Sequence, residues 1–213
     1  MADWVTISAL ATAGGTLVLA GATFASVRSA NRSSRLAERS LLATQRPLLM
    51  PSRLQDDPQK VGFADGKWLV APGGGGAVDV SDEAVYLVIS LRNVGPGMAV
   101  LHGWLFHPEV ALGDEPAPSP DGFNRLTRDL YVPTSDTGFW QGAFRDPASP
   151  EFAAAREAIE SRQRMAVDLL YGDHEGGQRT VTRFALLPHS DGVWLASAGR
   201  YWNVDRDDPR PTP

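Results

Sequence analysis

Four histidines, at positions 102, 107, 174 and 189, are the side chains best suited to proton transfer or metal binding near neutral pH. Two of them, His102 and His107, stand five apart in one alternating apolar stretch. On a regular strand that spacing sends them to opposite faces, so they cannot chelate one metal together. His174 falls in a turn and His189 at a strand end. A carboxylate near His174, Asp173 or Glu175, could pair with it, but a solitary turn histidine is ordinarily just solvated.

The glycine run "PGGGGAV" resembles a phosphate cradle only in composition. It lacks the Lys-Ser/Thr of a P-loop, and no helix follows to supply an N-terminal dipole, so "APGGGGAVDVSDE" reads as a loop. "DHEGG" and "DRDDP" lack the ligand spacing of a calcium loop. Neither G-x-S-x-G nor H-E-x-x-H occurs. Cysteine is absent, which removes thiolate nucleophiles, disulfides and Cys-based zinc sites. The sequence therefore predicts no cofactor, no metal and no catalytic residue. One enzymatic route stays open, because any two carboxylates can converge in space to hydrolyse a substrate.

Aromatic residues in "DTGFWQGAF" suggest binding rather than catalysis. Phe139, Trp140 and Phe144 either form an exposed apolar patch for a partner or plug the end of the domain beneath a helix.

Charge is unevenly placed. Residues 1–45 hold Arg28, Arg32, Arg35 and Arg39 against Asp3 and Glu38, a net of +2, which leaves −7 for residues 46–213 out of the chain's −5. An acidic domain is unsuited to a phosphate backbone, so nucleic acid is not an expected partner.

From Trp4 to Val27 no residue is charged, and the four arginines follow at once. About 20 such residues cross a hydrocarbon core. A cleaved export signal carries its positive charges before the apolar run; here they come after it. The order suits a single-pass anchor with its N-terminus outside and the C-terminal domain in the cytoplasm. Trp4 and the arginines would then mark the two interfaces. A cleaved signal and a buried soluble helix are the alternatives, and the second draws on the many small residues. Ser8, Ala11, Gly15, Ala22, Ser26, Ser29 and Ser33 form a stripe that could seat a second span, although small residues line most faces of such a segment. The arginines recur at i, i+4, i+7 and i+11 on one helical face. That face either stops transfer or grips anionic headgroups. Pro47 ends the helix, giving a transmembrane and juxtamembrane segment over residues 1–46.

Beyond it the periodicity changes to two. "RPLLMPSRL" predicts an edge strand. "AVYLVISLRNVGPGMAVLHGWLFHP" predicts a central hairpin turned by "NVGPG", with Val100, His102, Trp104 and Phe106 on one face. "ALGDEPAPSPDGFN" reads as a surface loop and "RLTRDLYVP" as a strand. "SPEFAAAREAIESR" predicts one helix with Ser149 as N-cap, Pro150 at the first position and Phe152, Ala155 and Ile159 inward. A second hairpin turns at "GDHEGG", and "SDG" turns into a last strand. Seven or eight short strands imply a mainly β domain over residues 47–204: an immunoglobulin-like antiparallel β-sandwich with one inserted helix. Residues 205–213 read as a flexible tail.

The stretches "TQRPLL" and "LRNVGPGMA", the second carrying Asn93, Gly95, Gly97 and Ala99, resemble those of uncharacterised actinobacterial single-pass membrane proteins with a C-terminal β-domain. The resemblance implies architecture and no activity. Two functions are expected from the whole: a membrane-anchored, non-catalytic interaction or assembly module with a protein partner, or a membrane-tethered carboxylate hydrolase with its site at one end of the sandwich.

Overall fold

The computed structural model describes residues 3–109, 116–189 and 193–206. It contains two compact units that divide between Thr44 and Gln45.

The first unit is one helix, α1 (Trp4–Thr44), unbroken through the apolar run and the arginines. Its 41 residues extend about 60 Å, twice the thickness of a hydrocarbon core. Thr12, Thr16 and Thr23 donate their hydroxyls back to the carbonyls of Ser8, Thr12 and Leu19, so these polar groups are satisfied within the helix itself.

The second unit is mainly β, as its alternation predicts. Eleven strands occupy the described residues: β1 (Leu49–Pro51), β2 (Gln59–Gly62), β3 (Trp68–Ala71), β4 (Gly75–Val80), β5 (Val85–Asn93), β6 (Ala99–His107), β7 (Asn124–Val132), β8 (Thr137–Phe144), β9 (Met165–Gly172), β10 (Thr180–Pro188) and β11 (Trp194–Asn203). One short helix, α2 (Pro150–Glu160), follows β8; Ser149 caps it by accepting the amide of Phe152. The expected tail is tied down at its first residue, where Asp205 pairs with Arg179 at 2.6 Å. The rest of that tail from 207, the "SDG" turn at 190–192 and part of the long loop at 110–115 lie outside the described residues.

Among the described residues every strand pair is antiparallel, and the two layers of the sandwich are one curled sheet. One layer is β8–β5–β4, with β1 beside β4 on the same flank of β5; the other is β11–β10–β9–β6–β7. They join at one corner, where Trp194 pairs with Gly76 and Leu195 with Gly75, and the Ala196 amide donates to the Gly74 carbonyl. This is where the glycine run sits. Only its first half is a loop: Gly73 and Gly74 turn the chain, Gly74 with a φ of +71°, and Gly75 and Gly76 are buried in β4. A Cβ at Gly75 would lie 2.5 Å from the Trp194 carbonyl oxygen, and one at Gly76 2.6 Å from that of Val88. The sheet can turn its corner only where the backbone carries no side chain.

β5 and β6 are not a hairpin. Each belongs to a different layer, β5 pairing with β8, β4 and β1, and β6 with β9 and β7. "NVGPG" arches between the layers. Buried Asn93 holds the arch with four hydrogen bonds: its Oδ1 accepts the amides of Leu48 and Gly95, and its Nδ2 donates to the carbonyls of Gly97 and Val132. A methyl at Gly97 would overlap the Gln45 carbonyl. The arch therefore interlocks with residues 45–48.

The core lies between the layers. Leu87, Ile89 and Leu91 of β5 and Trp140 of β8 meet Leu101 and Trp104 of β6 and Leu169 of β9. α2 closes the core with Phe152 and Ala155. The β2–β3 hairpin covers the outer side of β5, where Val61 and Phe63 meet Tyr86 and Val88. A third cluster, Phe123, Leu170, Val181 and Trp202, covers the outer side of β9 and β10.

Candidate functional site

β7 and β8 are the two ends of the sheet order. Their linking turn runs through Ser135, held by Asn93. Beyond it the edges part, and a cleft of about 610 Å³ opens along the seam. Asn124 to Arg128 form one wall and Gln141 to Arg145 the other. Trp104 and Phe144, stacked edge-to-face at 5.2 Å, lie at its floor, and the start of α2 closes one end.

Three arginines line this cleft. Arg128 crosses from β7 to donate to Gln141 Oε1 at 2.6 Å, stapling the edges at one point. Arg145 pairs with Asp65 at 3.0 Å, and the Tyr86 hydroxyl donates to the same carboxylate at 2.8 Å. Burial opposes the charge on Asp65, yet the Tyr86 and Arg145 hydrogen bonds outweigh it and hold the carboxyl below its ordinary pKa. Arg125 is exposed. Two carboxylates also line the cleft, Asp146 and Glu151. Asp146 accepts the amide of Ala148 and so shapes the turn before α2, and Glu151 sits in the first turn of α2, where the helix dipole favours negative charge.

The aromatic stretch is therefore strand β8, and its residues do not form an exposed patch. Trp140 is fully buried and stacks on Trp104 at 5.3 Å. Phe144 is buried beside Trp104 and Phe106 and shows only an edge at the cleft floor. Phe139 is half-buried between β8 and the β2–β3 hairpin. Alternation explains this: β8 has an inner and an outer face, and each meets a cluster.

The histidines do not converge. A bulge at His102 breaks the alternation of β6, so Leu101 and Trp104 both face the core and Val100 does not join them. The regular alternation expected over 100–106 is thus overturned, and His102 and His107 fall on one side. They meet different neighbours there. His102 is half-buried near Arg179; burial first, then that positive charge, lowers its pKa. His107 Nε2 lies 2.8 Å from Asp168 Oδ2. Asp173, offered above as a partner for His174, instead accepts the amides of Glu175 and Gly177 and so holds the "GDHEGG" turn. Among the described residues no group of three or more His, Cys, Asp or Glu could hold a metal.

Sequence reasoning missed one polar cluster. Asp168, fully buried on β9, takes a two-pronged bond from Arg183 of β10, Nε to Oδ1 at 2.7 Å and Nη2 to Oδ2 at 2.8 Å. The Arg183 guanidinium also lies over the Trp202 ring at 5.3 Å. Burial alone would raise the Asp168 pKa; the bonds from Arg183 and His107 reverse that, and the net shift is downward. A signal was present, since Asp168 and Arg183 are lone charges in two apolar strands, equidistant from the hairpin turn and hence directly opposite.

The arginine stripe and Trp4 lie exposed on α1. Compared with known proteins, the chain matches no family model, no curated protein and no solved structure.

Proposed function

We propose that this protein is a single-pass, membrane-anchored interaction module, with its N-terminus outside and a non-catalytic β-domain in the cytoplasm that binds a protein partner. The observation that carries the reading is α1. It is long and apolar enough to cross a membrane, and its large side chains are not packed away: Trp4 is 80% exposed and Phe24 70%. An aqueous helix of this kind would expose a continuous apolar surface, whereas in lipid that surface is solvated and every backbone group is bonded internally. Arg28 to Arg39 directly after the uncharged run support the orientation.

Binding rather than catalysis is supported by how the cleft's polar groups are used. Asp146 is engaged in a turn, Arg145 in an ion pair and Arg128 in a cross-strand bond. None of these is poised as a nucleophile beside a base.

Two measurements test the reading. Reporter fusions at the C-terminus should be active only as cytoplasmic reporters; activity from an exported reporter overturns the orientation. Crosslinking in intact membranes, followed by purification in mild detergent with the span in place, should capture a reproducible partner. Recovery of the chain alone overturns the interaction role.

A further inference from the structure

We infer that the seam cleft docks an extended, acidic segment of a partner protein, which adds as a strand to the free edge of β8; this rests on the interaction-module reading above.

The first ground is the backbone. β8 pairs with β5 and, among the described strands, with nothing on its other side, and β7 likewise pairs only with β6. In an antiparallel strand every second N–H and C=O points away from the existing neighbour. Such edges are usually blunted or covered, because they template the addition of another strand. Here both open edges line the same cleft, held together across it by the Arg128–Gln141 bond. The β8 edge from Gln141 to Phe144 runs about 13 Å along the cleft, enough for four residues of extended chain.

The second ground is the alternation that the cleft would read. Its floor is aromatic, Trp104 and Phe144, which suits apolar side chains pointing inward. Arg145 on one wall is already paired with Asp65, while the β7 wall carries Arg125 and Arg128. That is a basic strip on a domain whose residues 46–213 net −7. An extended segment sends successive side chains to opposite faces, so alternate apolar residues would rest on the floor while the acidic ones between them meet the arginines. Asp146 and Glu151 close the α2 end and disfavour acidic residues there, which places the acidic face beside β7.

The test uses the full chain in lipid nanodiscs and a fluorescein-labelled eight-residue peptide of alternating glutamate and valine. The control peptides are its lysine–valine counterpart and a glutamate–valine peptide N-methylated at alternate residues. Saturable anisotropy is expected for the glutamate–valine peptide alone. Loss of about tenfold in affinity is expected on N-methylation, which removes strand pairing and leaves the charges. A similar loss is expected in the Arg125→Glu, Arg128→Glu variant. No saturable binding, equal binding of the lysine peptide, or indifference to N-methylation overturns the proposal; the peptide controls need no variant to fold. If the peptide fails while the crosslinked partner is still captured, the docking surface is wrong and the interaction role stands. If no partner is captured either, both fall.

Discussion

Asn93 is bonded at both ends of its amide, and every partner is a backbone group in a segment that has no regular ladder of its own. Replacing it by alanine leaves two amides and two carbonyls without that partner in the interior. Unmade buried hydrogen bonds cost about 1 kcal/mol or more each, so Asn93→Ala should destabilise the domain by about 3 kcal/mol or more. Thermal unfolding of the detergent-solubilised chain, followed by the near-ultraviolet signal of its buried tryptophans, measures the loss. An unchanged midpoint removes Asn93 from this role. Asp168 makes a different prediction, one of pH. Its folded pKa lies below the ordinary value of about 4, so the unfolded chain takes the proton first as pH falls. The stability conferred by the Arg183–Asp168–His107 cluster is therefore present above about pH 4 and lost as pH drops through the folded value. Asp168→Asn should cost about 3 kcal/mol at neutral pH, because it leaves Arg183 with its buried partner neutralised. That difference should shrink steadily in acid below about pH 4. Parallel pH profiles of the two proteins would contradict the assignment.

Among the elements, β4 carries the most structural consequence for its length. Its glycines pair with β11 at the corner where the two layers join, and backbone from both sides closes on them. Gly76→Ala would place its Cβ 2.6 Å from the Val88 carbonyl oxygen and 2.9 Å from a Leu186 methyl. A leucine methyl can shift; a carbonyl within a ladder cannot without breaking the β4–β5 pairing. Overpacking of a flexible site costs about 1–3 kcal/mol, and this rigid one should reach or exceed the top of that range. Gly66→Ala is the useful contrast. Its φ of +86° strains any side chain, but nothing lies within 4 Å of the new methyl, so about 1 kcal/mol is expected. Denaturant titration of the two variants ranks them, and equal losses would show that the corner tolerates a side chain.

For the whole molecule, the proposed anchoring separates topology from recognition. If Arg28, Arg32, Arg35 and Arg39 act only to keep the C-terminal side in the cytoplasm, changing all four to lysine should leave membrane level, orientation and captured partners unchanged, since the positive-inside rule counts either residue. Arginine's planar fork matters only where it grips a headgroup or a carboxylate. Correct insertion with loss of a co-purifying lipid or protein would show that the stripe is a binding site. The four-lysine variant leaves the β-domain cleft untouched, so peptide docking there should be the same as in the parent.

What the sequence determined by itself is what depends on local order. The length of α1 follows from 24 uncharged residues, a helical arginine face and Pro47; α2 and its Ser149 cap follow from "SPEF", and the β9–β10 hairpin from alternation on both sides of one turn. Only the tertiary structure decided where strands of similar pattern would pair. β5 and β6 look like a hairpin because both alternate around a glycine–proline turn, but the turn's own side chain, Asn93, bonds to residues 48 and 132, and the strands part into different layers. A single bulge at His102 exchanged the faces of half a strand, which no period-two count can register. "GGGG" looks like a loop throughout because glycine has no local preference for strands, yet its second half, Gly75 and Gly76, is strand because distant backbone at Trp194 and Val88 needs the space. The cleft has the same origin: β7 and β8 are neighbours in sequence, yet the curl of the whole sheet sets how far their edges part and which residues line the gap.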